Sequence, residues 1–127
     1  MILAAEELRA ITTQAVEEYP SECCGVIMVL GEQRQLLRFR NVQDEMHGRD
    51  PERYPRTART AYTIGPRDQF RMIDLENVGY AVAVIYHSHV DAGAYFSPTD
   101  KRVAMLGRDP REHDPAYPDA VYVVASV

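Results

Sequence analysis

The sequence predicts one α/β domain: a mixed β-sheet flanked by helices, in an α/β sandwich. Two kinds of segment point to it. Apolar runs at residues 24–30, 80–86 and 120–125 are short and nearly unbroken; the first reads as a buried strand, the second as one buried on both faces, the third as a last apolar strand. Segments 4–18 and 65–77 carry apolar residues at helical spacing. The two kinds alternate along the chain, without internal repeats or low-complexity tracts. A length of 127 residues suits a single domain with a real core.

The first helix is expected over residues 4–18, with Leu8, Ile11, Ala15 and Val16 toward the core. Tyr19-Pro20 ends it, because proline disfavours helix at the residue before it. Residues 24–30 form a buried strand, Gly31-Glu32-Gln33 turns, and residues 35–40 return. In the returning strand Leu37 and Phe39 alternate with Arg38 and Arg40, so one face meets water. Residues 41–61 are charged, contain Pro51 and Pro55 and show no period; a long loop is expected, either a surface insertion or a flap over substrate. Tyr62-Thr63-Ile64 fits a short strand. Gly65-Pro66 opens a helix to about Asn77, with Phe70, Ile73 and Leu75 inward and Gly79 as its stop. The central strand 80–86 follows, then a loop, a helix from Pro98 to about Leu106, a turn-rich stretch 107–118 and a last strand at 120–125.

Composition narrows the function. The net charge of −5 gives no basic surplus for nucleic acid. No apolar stretch is long enough to cross a bilayer, so no membrane partner is expected. Met1-Ile-Leu-Ala-Ala runs straight into Glu6-Glu7, which leaves no signal-peptide core and makes the cytoplasm the expected compartment. Cys23 and Cys24 are adjacent and point to opposite sides of a strand. A bridge between them is disfavoured, and two buried thiols acting as small hydrophobes are expected.

The chemistry concentrates at His87-Ser88-His89 and Ser97-Pro98-Thr99-Asp100. Alternation along the strand sends His87 and His89 to one side and Ser88 to the other. Two imidazoles on one face at a strand end can share a metal ion. Ser97 as N-cap and Pro98 at the first helical position mark a helix start. A tight return brings Asp100 in as a third ligand. Two histidines and one carboxylate leave a tetrahedral zinc one protein ligand short, the pattern of a catalytic site. Taken alone, Ser97 and Asp100 also make a plain Ser-x-x-acid capping box that needs no metal. His47 and His113 fall in polar stretches and are expected to be solvated.

With Glu22-Cys23-Cys24-Gly25 upstream, these residues resemble the JAMM metalloproteases, the catalytic branch of the MPN domain family. That motif is an early Glu, then His-x-His, seven residues, Ser, two residues and Asp, and the spacing from His89 to Ser97 to Asp100 fits it. The resemblance runs along most of the chain. It implies the MPN (cytidine-deaminase-like) sandwich and one zinc per chain, held by His87, His89 and Asp100. It further implies Glu22 as general acid/base and Ser97 as oxyanion donor. Small bacterial members resemble isopeptidases that cut after the terminal glycine of ubiquitin-like sulfur carriers, so such a protein tail is the expected partner. The resemblance also allows a homodimer. Val90 stands where relatives often carry proline, which bears on loop stiffness and not on ligation. Relatives usually continue past the strand matching 120–125, so their final strands are either absent or lie outside this sequence.

Two other readings stand beside it. Many MPN domains are non-catalytic docking modules that have lost ligands; this chain keeps all five candidate residues. His89, Asp91 and His113 offer instead a His-x-Asp plus distal His, the facial triad of non-haem iron enzymes, though this leaves His87 unexplained. A zinc deaminase is set aside, because His-x-Glu and Pro-Cys-x-x-Cys are both missing.

Overall fold

Short, β-branched runs between helical segments fold here as a sheet covered on both faces. The structure is a computed structural model, which describes residues 3–95, 97–105 and 117–127. Its elements are α1 (Ala5–Glu18), β1 (Cys24–Leu30), β2 (Gln33–Phe39), α2 (Gln43–Arg49), α3 (Pro66–Asn77), β3 (Ala81–His89), α4 (Pro98–Ala104) and β4 (Val121–Ser126). Among the described residues the sheet runs β2-β1-β3-β4. β1 is antiparallel to both β2 and β3, whereas β4 is parallel to β3, so the sheet is mixed. None of the described helices is long and apolar enough to cross a membrane.

The alternation of side chains across β1 divides the core in two. Cys24, Val26 and Met28 pack with Phe39, Tyr62 and Met72 on the α3 face. Cys23 packs with Ile11, Ala15 and Tyr86 on the α1 face. Gly25 lies where a Cβ would overlap the Tyr86 hydroxyl and the Leu37 carbonyl. Only glycine lets Tyr86 reach Gln14, whose Oε1 accepts its hydroxyl proton. The Gln14 amide in turn donates to the Cys24 carbonyl at 3.1 Å, which explains a buried glutamine on the inner face of α1.

Several expectations are corrected. α1 buries a narrower face than its periodicity suggests: Ile11, Gln14 and Ala15 are inside, while Leu8 and Val16 are exposed. In α3 Phe70 and Ile73 point outward, 64% and 46% exposed. The inward positions are Asp68 and Met72, with Leu75 packed against the core. The helix rotates this way because the Asp68 carboxylate accepts the Arg40 N–H (2.8 Å) and an Arg71 guanidinium N–H (2.9 Å). Polar bonding sets the phase that hydrophobicity alone misassigns.

Segment 41–61 is no open loop. It contains α2 and is tied by side chains to its own backbone. Asn41 Oδ1 accepts the Gln43 N–H (3.0 Å), Gln43 donates to the Arg56 carbonyl (3.0 Å), and Asp44 accepts the Ala58 N–H (2.7 Å). His47 is half-buried on α2, its Nδ1 2.8 Å from the Tyr54 carbonyl, and is not simply solvated. A helix that buries a single residue, Gln43, leaves no hydrophobic period to read. At residues 62–64 an isolated bridge between Asn41 and Ile64 stands in place of a strand. β3 runs on through the histidine pair to His89. Leu106 and the turn-rich stretch 107–116 lie outside the described residues.

Candidate metal centre

Three elements meet at one end of the sheet. β1 pairs with β3 so that Cys24 lies opposite His87. The last residues of β3 send His87 and His89 to one side; Ser88 points to the other, where its Oγ accepts the Cys23 N–H at 2.7 Å. This bond locks the strand end and therefore the direction of both histidines. Tyr62 stacks on the His87 ring, with centroids 4.7 Å apart. α4 supplies Asp100 through a reciprocal cap: the Ser97 N–H donates to Asp100 Oδ2 (2.9 Å), and the Asp100 N–H donates to Ser97 Oγ (3.0 Å). The capping box thus also carries the carboxylate that faces the two histidines.

His87, His89 and Asp100 are all buried and offer ligand atoms within 4.8 Å of one another. His87 Nε2 lies 3.1 Å from Asp100 Oδ1, and His89 Nε2 lies 3.2 Å from Asp100 Oδ2. The first approach is close but is not aligned as a hydrogen bond, and both His87 nitrogens are left without a hydrogen-bond partner. His89 Nδ1 lies 2.9 Å from the Gly93 carbonyl. A carbonyl only accepts, so Nδ1 carries a proton; Nε2, within hydrogen-bond reach of Asp100 Oδ2, donates to it when protonated and turns a lone pair toward the site in the neutral Nδ1–H ring. In that neutral form, with both His87 nitrogens buried and unpartnered, the imidazoles and the carboxylate suit a cation between them. The donor set, two imidazole nitrogens and a carboxylate, suits zinc chemically; it does not by itself select one metal.

Glu22 sits just before β1, 4% exposed, with Oε1 unpartnered. Its backbone is fixed on both sides, the N–H by the Ala58 carbonyl (2.7 Å) and the C=O by the Asn41 amide (2.9 Å). Burial, then the negative charge of Asp100, pushes its pKa up to about 8, against a smaller opposing pull from Arg56. Burial also acts on Asp100, but the His87 contact and the Ser97 N–H outweigh it and hold that carboxyl well below the usual range. Two carboxyl groups in one site are therefore driven apart in pKa, one toward the neutral acid and one toward the anion.

The remaining candidates fall away from this cluster. Both cysteines are free and buried; burial pushes the Cys23 thiol up to about 11 and the Cys24 thiol higher still, so neither is poised as a thiolate. Asp91 is turned from the histidines toward Tyr19 and Arg59, and His113 lies outside the described residues. The iron triad is thus not assembled among the described residues. A cavity of about 360 Å³ lies elsewhere, lined by Arg40, Val42, Pro66, Arg67, Asp68 and Arg71 among others, and shares no residue with the cluster. Its charge is largely answered internally, Arg40 by Glu45 and Arg71 by Asp68. Sequence reasoning missed Tyr62, the Gly93 carbonyl and the edge of Tyr95 against His89 (4.9 Å). None lies at a spacing that marks it.

Comparison with known proteins bears on this geometry. The solution structure of protein DSY2949 from Desulfitobacterium hafniense is similar, with a TM-score of 0.57 at 20% identity over 80% of this chain; the match spans 64% of that protein's length. At that identity the likeness concerns the fold. No curated protein matches the sequence. The family model described as prokaryotic homologs of the JAB domain matches residues 4–127. A mixed sheet, a strand-borne histidine pair and a helix-borne aspartate agree with that match, and the chain belongs to the prokaryotic JAB-domain family.

Proposed function

We propose that this chain is a zinc-dependent peptidase or isopeptidase that cuts after the C-terminal glycine of a ubiquitin-like or sulfur-carrier protein. The observation that carries the reading is the convergence of His87, His89 and Asp100 near a buried Glu22, which feels the Asp100 charge and whose Oε1 has no partner. JAB-family membership supports it. The three ligands would hold the zinc and leave one position open, as catalytic zinc sites do. Zinc, when bound, supplies a Lewis acid that polarises the scissile carbonyl and acidifies water.

The rest is work for the chain's own residues. Glu22 takes the proton of the attacking water and returns it to the leaving amine. In the metal-free chain its burial raises the carboxyl's pKa, so it holds a proton more readily than an exposed glutamate. Ser97 Oγ already accepts from the Asp100 N–H, so its own proton is free for the carbonyl oxygen as charge develops there. A glycine at the cut position suits a site walled by Tyr62 and the capped turn of α4, because no side chain obstructs close backbone approach. Segment 41–61, bonded to itself and to Glu22, serves as a fixed wall of that site and not as a closing flap. The cytoplasm is the proposed setting.

The test offers the zinc-loaded protein a sulfur carrier from the same genome, extended by a few residues beyond Gly-Gly, and weighs the products by mass spectrometry. Release ending at Gly-Gly, abolished by chelation, is expected. Intact Gly-Gly tails alongside hydrolysis of unrelated peptides would overturn the substrate class. Zinc binding without hydrolysis of any substrate would favour a docking module.

A further inference from the structure

Asp91 lies two residues beyond His89, outside the His87–His89–Asp100 cluster, yet both its backbone and its side chain are held. Its φ is 54°, in the left-handed region, and among the described residues it is the one non-glycine residue there. Aspartate tolerates that region better than most residues, but still at a cost. Its carboxylate is gripped from two sides. The Tyr19 hydroxyl, just past α1, lies 3.0 Å from both oxygens, and the Arg59 guanidinium lies 2.6 Å from Oδ2. Its backbone N–H donates to the Val127 carbonyl at 2.8 Å, and the Val127 N–H returns to the His89 carbonyl at 3.0 Å. The next residue, Ala92, accepts the Ser126 hydroxyl at 2.6 Å. Gly93 then accepts from His89 Nδ1.

These contacts form a chain of causes. The end of α1, segment 50–61 and the end of β4 all converge on a turn of three residues, 91–93. That turn presents the one carbonyl that sets the His89 proton on Nδ1 and leaves Nε2 for the cluster. The ion pair is half-exposed on both sides, and such pairs contribute little to global stability. Its value therefore lies in geometry.

We propose that Asp91 is a positioning residue for His89: clasped by Tyr19 and Arg59, it holds the 91–93 turn so that the Gly93 carbonyl orients the imidazole toward Asp100. The proposal rests on the metal-centre reading for its purpose but not for its test. Asp91→Gly keeps the left-handed backbone and removes the clasp. Asp91→Asn keeps both the backbone preference and an acceptor for Tyr19.

The ¹⁵N shifts of the His89 ring in the metal-free protein report its tautomer directly. The wild type and Asp91→Asn should show a fixed Nδ1–H form, and Asp91→Gly a mixture. Cobalt(II) dissociation, followed by its visible bands, should quicken by about tenfold or more in Asp91→Gly, the scale seen when outer-shell partners of metal ligands are lost. Asp91→Asn should stay within about threefold of the wild type on that same scale. An unchanged His89 tautomer in Asp91→Gly overturns the proposal, whatever the metal does. A wild type that binds no cobalt removes the metal centre instead, and the tautomer measurement still decides the clasp.

Discussion

Segment 41–61 and the histidine cluster are both polar, both packed against the start of β1, and bonded in opposite ways. In the first, Asn41, Gln43 and Asp44 each spend their side-chain groups on named backbone partners. In the second, both His87 nitrogens and Glu22 Oε1 are buried without a partner, and two imidazoles converge on one carboxylate at 3.1 and 3.2 Å. A satisfied polar network rigidifies a fold, whereas an unsatisfied one is costly and persists where something else completes it. The segment without a hydrophobic period is thus architecture, and the cluster on a buried strand is suited to hold a metal ion.

The sharpest way to break the comparison is to fill and empty the cluster. A ligand that binds only the folded state stabilises it by about 2.7 kcal/mol at a hundredfold excess over Kd. Zinc should raise the melting temperature of the wild type and leave that of His87→Ala unmoved. An equal rise in both would place the zinc elsewhere.

Glu22→Gln comes next. Metal binding should survive, and turnover should fall on the order of 10²- to 10⁴-fold, as for loss of a general acid/base. The same variant sharpens the account through pH. Glu22 has a folded pKa of about 8 against an ordinary 4.5, so the folded state holds its proton more tightly than the unfolded chain. Its contribution is therefore fully present below pH 4.5 and lost as pH rises through 8. In metal-free protein, the wild type should lose stability relative to Glu22→Gln by up to about 1.4 kcal/mol per pH unit across that window. Parallel urea-unfolding curves for the two proteins at every pH would contradict the shift.

Ser97→Ala separates the two duties of the cap. Loss of one oxyanion donor lowers turnover by roughly 10²- to 10³-fold. Loss of the cap lowers stability by about 1 kcal/mol. A variant that loses stability alone reduces Ser97 to a capping residue. The smallest effect belongs to the satisfied region. Gln43→Ala should destabilise by about 1 kcal/mol or less, since it removes part-buried bonds to the Arg56 carbonyl and the Thr63 hydroxyl, and should leave zinc affinity unchanged.

What the sequence made legible follows the same division. β1 and the start of α3 were readable because buried strands and Gly-Pro helix starts leave local marks. The convergence of His87, His89 and Asp100 was readable because alternation on a strand and a capping box at a helix start have fixed spacings, so three side chains could be aimed without a fold in hand. The Glu22 environment was not: its burial depends on Ala58 and Asn41, residues brought to it only by the chain's return. The outward turn of Phe70 and Ile73 was equally hidden, because Asp68 takes the inner position for hydrogen bonds that no periodicity encodes. Asp91 was visible as a carboxylate near a histidine, and that chemistry suggested a ligand. Its actual partners, Tyr19 and Arg59, are distant in the chain.

As proposed, His87, His89 and Asp100 form one metal centre. Titration of zinc into metal-free protein, followed by calorimetry, tests it most directly when wild type and Asp100→Ala are run side by side. One zinc per chain in the wild type, and a loss of most of that binding in Asp100→Ala, is the expected result. Equal stoichiometry and affinity in both, or no binding to the wild type, would contradict it.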